Sequence, residues 1–197
     1  MSRRMVAGPG VPTLLMIRAG GGESASAGTT LYDLGGVVEL PPRTPLPAGA
    51  VPSLDELCVR TAQRLGSPVA LVSLVDGEGQ ALPGAFGLAE PWSSERWTPL
   101  THSFCQHVVT SGRPFVVDNA HDDPSVADNL AIMELGVIAY AGVPLIAGDD
   151  HQVVGALCAI DHKPRVWTDE QVHELSALSA EVADQLALLI KEAGQKP

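Results

Sequence analysis

Aromatic residues are scarce in this chain: Phe, Trp and Tyr make up 4% of it. Its core has to be assembled from Val, Leu, Ile and Ala, and no row of aromatic side chains offers a platform on which nucleic-acid bases stack. Basic residues are also few, and the formal net charge is −11. The shortage is uneven. Residues 1–50 carry four Arg against Glu23, Asp33 and Glu39, whereas residues 51–197 carry eight Lys or Arg against twenty Asp or Glu. So acidic a body repels phosphate backbones and anionic lipid surfaces, and neither nucleic acid nor membrane is expected as a partner. There are three cysteines, Cys58, Cys105 and Cys158, with no C-x-x-C pair. An odd count without paired spacing excludes the disulfide framework of a small secreted domain and points to reduced thiols in the cytoplasm. Long apolar runs are missing too. Gly8, Pro9, Gly10 and Pro12 interrupt the start, leaving Leu14–Ile17 too short for a signal-peptide core, and no stretch has the length to span a membrane.

What is present divides at about residue 50. Residues 1–50 hold nine Gly and six Pro, with a linker-like Ser24–Gly28 and an extended Pro41–Pro47. Such a segment buries too little surface to offset its chain entropy and is expected to be a disordered extension. Leu31–Leu34 and Val37–Leu40 are the exception, able to dock as a short strand. Residues 51–193 are expected to form one folded domain.

Within that domain Ser53-Leu-Asp-Glu56 has the spacing of a capping box and predicts a helix start, with Leu54, Leu57, Cys58, Thr61 and Leu65 on one face and Gly66 as the stop. Cys58 on that face reads as a packed, inert thiol. Val69–Val75 is a short β-branched run and predicts a buried strand. Asp76–Gly79 reverses the chain, and Gln80–Leu88 returns as a strand that Pro83 and Gly84 make an edge or bulged one. A polar loop holding Trp92 and Trp97 follows. Ser103-Phe-Cys-Gln106 is a second capping box, opening a short helix to Gly112, and Pro114–Asp118 predicts the next strand. Asp122-Asp-Pro-Ser125 is expected to start a helix that runs to about Leu135. Val137–Ile146 and Val153–Ile160 form a hairpin across Gly148–Asp150. Thr168-Asp-Glu-Gln171 is a third capping box, opening the longest helix, to about Lys191. The hairpins imply an α+β fold, a mainly antiparallel sheet flanked by helices.

Three stretches carry a family likeness. Val69–Asp76 resembles the first core strand of a GAF domain. Ser103-Phe-Cys-Gln-His107 with Gly112–Asp118 resembles the middle helix and strand of a bacterial subgroup. Tyr140-Ala-Gly-Val-Pro-Leu145, Val154–Asp161 and Pro164–Thr168 resemble the closing hairpin and the start of the last helix. The resemblance covers about residues 53–190. It implies a five- or six-stranded antiparallel sheet with helices on both sides, of the GAF/PAS-like kind, a small-molecule pocket on one side, and terminal helices that pack against a second copy. GAF domains bind ligands as different as cyclic nucleotides, bilins, haem and small metabolites, so the resemblance does not choose a cofactor, and the sequence leaves it unknown.

Candidate ligand-binding residues follow. His102, Ser103, Cys105 and His107 cluster at the start of a helix whose N–H groups and polar side chains suit an anion, although helix capping asks for the same chemistry. Asp118, at a strand end, either lines the pocket or closes a turn. Tyr140 and Asp161 are pocket walls by family position. Trp92 and Trp97 either flap over a ligand or cover a sheet edge. Cys105, His107, His121 and Asp122 show no recognised metal-ligand spacing, and no metal is expected. The cyclic-nucleotide signature of the family is missing, and Gln106 separates Cys105 from His107 where a bilin-linking Cys directly precedes His.

No nucleophile–base pair emerges, so no catalytic residue is assigned. The leading expectation is a sensory or regulatory GAF protein that binds a small molecule and, with no output module in the sequence, signals through a partner protein in trans. One alternative is a cysteine-dependent free methionine-(R)-sulfoxide reductase. The other is a ligand-free dimerisation module: positions 172, 175, 179, 182, 186 and 189 have coiled-coil-like spacing, and Leu188 and Ile190 widen the apolar surface of the last helix toward a homodimer.

Overall fold

Val69–Val75 is buried at all seven positions, which a strand achieves only when both faces of its sheet are covered. The computed structural model, which describes residues 30–33, 36–39, 51–147 and 152–194, shows how this happens. Two short strands, β1 (Thr30–Asp33) and β2 (Gly36–Glu39), pair antiparallel with each other. The remainder of residues 1–50, and the expected turn at Gly148–Asp150, lie outside the described residues. The domain then runs α1 (Pro52–Leu65), β3 (Val69–Val75), β4 (Gly79–Phe86), α2 (Trp92–Glu95), β5 (Trp97–Pro99), α3 (Cys105–Ser111), β6 (Phe115–Val117), α4 (Ala131–Glu134), β7 (Ala139–Ala147), β8 (Gln152–Asp161) and α5 (Asp169–Gly194), with a 3-10 turn at Leu100–His102. The six strands β3–β8 form one antiparallel sheet in the order β5-β4-β3-β8-β7-β6.

Alternation along the strands sorts the core into two layers. Ala70, Val72 and Leu74 of β3, Ala139, Ala141, Val143 and Leu145 of β7, and Leu157 and Ala159 of β8 pack with α1 and with Leu175, Leu178, Val182 and Leu186 of α5. Val69 and Leu71 of β3, Tyr140 of β7, and Ala156, Cys158 and Ile160 of β8 pack with Phe104, Cys105 and Val108 around α3. The covers are unequal. The first is two long helices, joined across their outer surfaces by the ion pairs Arg60–Glu181 and Arg64–Glu174. The second is a seven-residue helix with turns and the short α4.

Several boundaries differ from the sequence reading. The first capping box is not used: α1 begins at Pro52 after an extended Val51, with no side-chain cap. Proline at N1 needs no N–H partner and presets the helical φ. Asp55, in the first turn, accepts from Ala85 N–H at 2.7 Å and from both terminal nitrogens of Arg96 at 2.7 and 3.2 Å. The Trp92–Trp97 loop contains α2 and the edge strand β5, so Trp97 does sit on a sheet edge. The helix expected from Asp122 is reduced to α4. Asp123 instead closes a local turn, accepting from Ser125 N–H (2.9 Å) and Oγ (2.6 Å), while Leu130 N–H is drawn to the Thr101 carbonyl at 3.0 Å. Of the two readings for β4 the bulged one holds: the strand lies between β5 and β3, and its register with β3 shifts between Val72–Gly84 and Leu74–Ala81, leaving Leu82 and Pro83 opposite Ser73.

Candidate functional site

The polar interior lies on the α3 side of the sheet. Ser103 ends the 3-10 turn and organises the start of α3: its Oγ accepts from Gln106 N–H at 3.1 Å, as the second capping box requires. The Gln106 side chain does not complete the box. Its Nε2 donates to the carbonyls of Leu100 (3.0 Å) and Ser103 (2.7 Å). Ser103 Oγ also donates to Gln80 Oε1 at 2.7 Å, and Ser73 Oγ donates to the same oxygen at 3.0 Å. Asn129 Nδ2 reaches the Ser103 carbonyl at 3.0 Å and ties the turn-rich segment to the cluster. Ser73, Gln80, Thr98, Ser103 and Gln106 are all buried. Among the described residues Gln106 Oε1 and Thr98 Oγ1 have no hydrogen-bond partner, an arrangement that costs on the order of 1–3 kcal/mol per group unless something supplies a donor.

The thiols adjoin this cluster. Cys105 Sγ and Cys158 Sγ lie 3.9 Å apart, and the Tyr140 hydroxyl donates to Cys105 Sγ at 3.3 Å. Gly142, paired with Cys158 across the β7–β8 ladder, makes this possible: a Cβ there would stand 2.1 Å from the Tyr140 oxygen. Hydrogen bonding from Cys158, with help from Tyr140 and Ser73, holds the Cys105 thiol below the ordinary thiol range despite burial. Its neighbour Cys158 is pushed up by that same contact and by burial. Burial raises the Tyr140 phenol, and negative charge on Cys105 adds to this. Cys58 sits in the other layer, on α1, where burial pushes its thiol up to about 12.

The histidines occupy the margins. His107 stacks on Phe115 with ring centroids 4.7 Å apart, and burial lowers its pKa to about 4. His102 is buried between Thr101 Oγ1 and Glu134 Oε2, each at 3.0 Å, with the Trp92 ring centroid 5.4 Å away. Among the described residues no three His, Cys, Asp or Glu side chains converge as a metal would need.

Five of the seven sequence candidates, His102, Ser103, Cys105, His107 and Tyr140, are thus brought to the α3 side. Asp118 and Asp161 are not. Asp161 pairs with Ala139, whose side chain is in the α1–α5 layer, and its carboxylate faces Arg165 at 3.5 Å. Asp118 accepts from Trp167 N–H at 3.1 Å, and its carbonyl accepts from Arg165 N–H at 2.9 Å. Arg165 lies 4.2 Å over the Trp167 ring and donates to the Gly66 carbonyl at 2.9 Å, buckling the loop before α5 to the end of α1. Asp118 thus ties the end of β6 to the loop before α5. The residues missed by sequence are Ser73, Gln80 and Thr98. Ser73 carried a usable signal, a lone hydroxyl in the middle of an apolar strand. Gln80 and Thr98 carried none.

A six-stranded antiparallel sheet, backed on one face by two long helices and covered on the other by a short helix over a polar, thiol-bearing interior, defines a two-faced α+β domain. The family model for the GAF domain matches residues 52–190. The chain belongs to the GAF domain family. A cyclic di-GMP phosphodiesterase of Pseudomonas aeruginosa is 31% identical over 121 residues, which are 61% of this chain and 20% of that protein. The chain thus spans about a fifth of that relative's length. Among solved structures, the GAF domain of PixJ from Thermosynechococcus elongatus is 18% identical (TM-score 0.54; 72% of this chain, 88% of that one). The free methionine-R-sulfoxide reductase of Neisseria meningitidis is 17% identical (TM-score 0.55; 72% and 80%). The GAF domain of an Acinetobacter phosphoenolpyruvate-protein phosphotransferase is 18% identical (TM-score 0.53; 72% and 82%). At these identities the likeness is one of fold. Among the described residues no helix is long and apolar enough to cross a membrane.

Proposed function

We propose that the protein is a sensory or regulatory GAF module, without catalytic activity of its own, that binds a small molecule beneath α3 and signals in the cytoplasm through a partner protein. The observation that carries this reading is the buried cluster Ser73, Gln80, Thr98, Ser103 and Gln106, with Gln106 Oε1 and Thr98 Oγ1 unpartnered among the described residues. Uncharged donors and acceptors in a water-poor interior suit a neutral, polar ligand that supplies hydrogen bonds. Similarity to a stretch of a cyclic di-GMP phosphodiesterase supports a signalling setting. A ligand that binds there transmits a signal only if it prefers one of two states, and the lightly covered α3 side is the part of the fold suited to have two.

Native mass spectrometry of the protein purified from its own organism, set against its denatured mass, tests the reading. An excess mass that disappears in Ser103→Ala is expected. A bare native mass, with no thermal shift across a library of neutral metabolites, overturns it in favour of a ligand-free interaction module. A second reading, cysteine-dependent reduction of free methionine sulfoxide, rests on the facing thiols Cys105 and Cys158. It requires substrate to reach Cys105, which is 3% exposed, and thiol-dependent consumption of methionine sulfoxide tests it.

A further inference from the structure

We propose that Cys105 and Cys158 are a reversible thiol–disulfide pair, oxidised by hydroperoxides, that locks α3 to the centre of the sheet. Three observations converge on these two residues. Their sulfurs lie 3.9 Å apart inside the protein, one on α3 and one on the central strand β8, so that closing to a bond of about 2.0 Å needs a modest approach of helix to sheet. The Tyr140 hydroxyl, held against Cys105 by the absence of a side chain at Gly142, supplies a hydrogen bond that stabilises a thiolate there. The third thiol, Cys58, is in the opposite layer behind the sheet and cannot compete as the resolving group.

The chemistry balances with a hydroperoxide as oxidant. The Cys105 thiolate attacks the distal peroxide oxygen, the O–O bond breaks, and an alcohol or water leaves as the sulfur becomes a sulfenic acid. Cys158 then attacks the sulfenic sulfur, the S–O bond breaks, and water leaves as the disulfide forms. Two thiols have lost two electrons and the peroxide has gained them. The hydrogen bond that the Tyr140 hydroxyl donates to Cys105 Sγ at 3.3 Å fits Cys105 for the role of attacking thiol. Access comes from the uneven covering of the sheet: α3 has seven residues and is flanked by turns, and short, lightly packed segments open at lower cost than the fold as a whole.

The test uses the reduced full-length protein, treated with hydrogen peroxide, alkylated, and read by intact mass and peptide mapping. The expected product has lost two hydrogens, contains a Cys105–Cys158 cross-linked peptide, and returns to the starting mass with dithiothreitol. Cys58→Ser forms the same product, and Cys158→Ser stops at a Cys105 sulfenic acid that dimedone traps. Full alkylation of Cys105 and Cys158 after treatment, over-oxidation in place of the cross-link, or dimers linked through Cys58 each overturn the proposal. Because mapping of the wild-type protein decides the matter, a poorly folding variant does not obscure the answer.

Discussion

At the scale of single residues, burial decides which groups titrate. His107 has its pKa lowered to about 4 from 6.5, so the unfolded chain takes up a proton between those values and the folded protein does not. Protonation then favours the unfolded state: His107 leaves stability unaffected above pH 6.5, costs it progressively as pH falls toward 4, and adds no further loss below. His107→Phe, which keeps the stacking on Phe115, is expected to flatten the pH dependence of the melting temperature in that window alone. An imidazole NMR titration with its midpoint near the ordinary histidine value would contradict the assignment. Glycines divide in a similar way. Gly112 sits at φ 63 with open space around its missing Cβ, so Gly112→Ala costs only the left-handed backbone, about 1 kcal/mol. Gly142→Ala drives a methyl into Tyr140 and is expected to cost more, about 1–3 kcal/mol, and, by displacing the hydroxyl that stabilises the thiolate, to lower the reactivity of Cys105 toward a thiol reagent. Calorimetric melts of the two variants rank them. Neither the tyrosine–glycine contact nor the role of Gln80 was legible in the sequence, because each depends on partners in other strands. The grouping of Ser103, Cys105 and His107 was legible, because the three are near neighbours in the chain at the start of one short helix.

At the scale of elements, local signals succeeded where local contacts decide. The box at Thr168 is reciprocal, with Gln171 N–H donating to Thr168 Oγ1 at 3.2 Å and Thr168 N–H to Gln171 Oε1 at 3.1 Å. Thr168→Ala is expected to destabilise by about 1 kcal/mol, read by urea melts, and Thr168→Ser to restore most of it. The similar pattern at Ser53 failed because Pro52 takes the first helical position and the Ser53 hydroxyl accepts instead from Gln185 Nε2 of α5 at 3.3 Å, a contact that no local pattern announces. The missing turns of the Asp122 helix have the same origin: Thr101 and Ser103 take the backbone and side-chain groups of Leu130 and Asn129. On α5 the apolar stripe is buried as its periodicity predicted, while Leu188 stays 55% exposed. We propose that this face meets a second copy, so Leu188→Glu is expected to convert a dimer to a monomer in sedimentation velocity. An unchanged oligomeric state removes α5 as the interface.

At the scale of the molecule, an antiparallel sheet flanked by helices was legible because hairpin spacing is a property of whole strands, whereas the strand order and the edge strand β5 were not, since they depend on pairings between distant segments. We propose that the folded unit starts at about residue 51, where the composition changes. A chain beginning at residue 51 is expected to melt within a few degrees of the full-length protein, since the folded body described from Val51 onward has its own two-layer core. A large fall in melting temperature would show that the Gly- and Pro-rich extension contributes to the fold.

The sheet order carries a consequence for how the protein is made. The central strand pair joins β3, synthesised early in the domain, to β8, among the last strands to leave the ribosome. Until β8 emerges, the inner edge of β3 in the β3–β4 hairpin has no partner strand, and the cover that α5 adds to the α1 face is not yet made. Sheet formation waits for the C-terminal part of the chain, placing the domain among slow folders of high contact order. Nascent chains stalled before Gln152 are accordingly the species in which chaperone binding and edge-to-edge aggregation should concentrate.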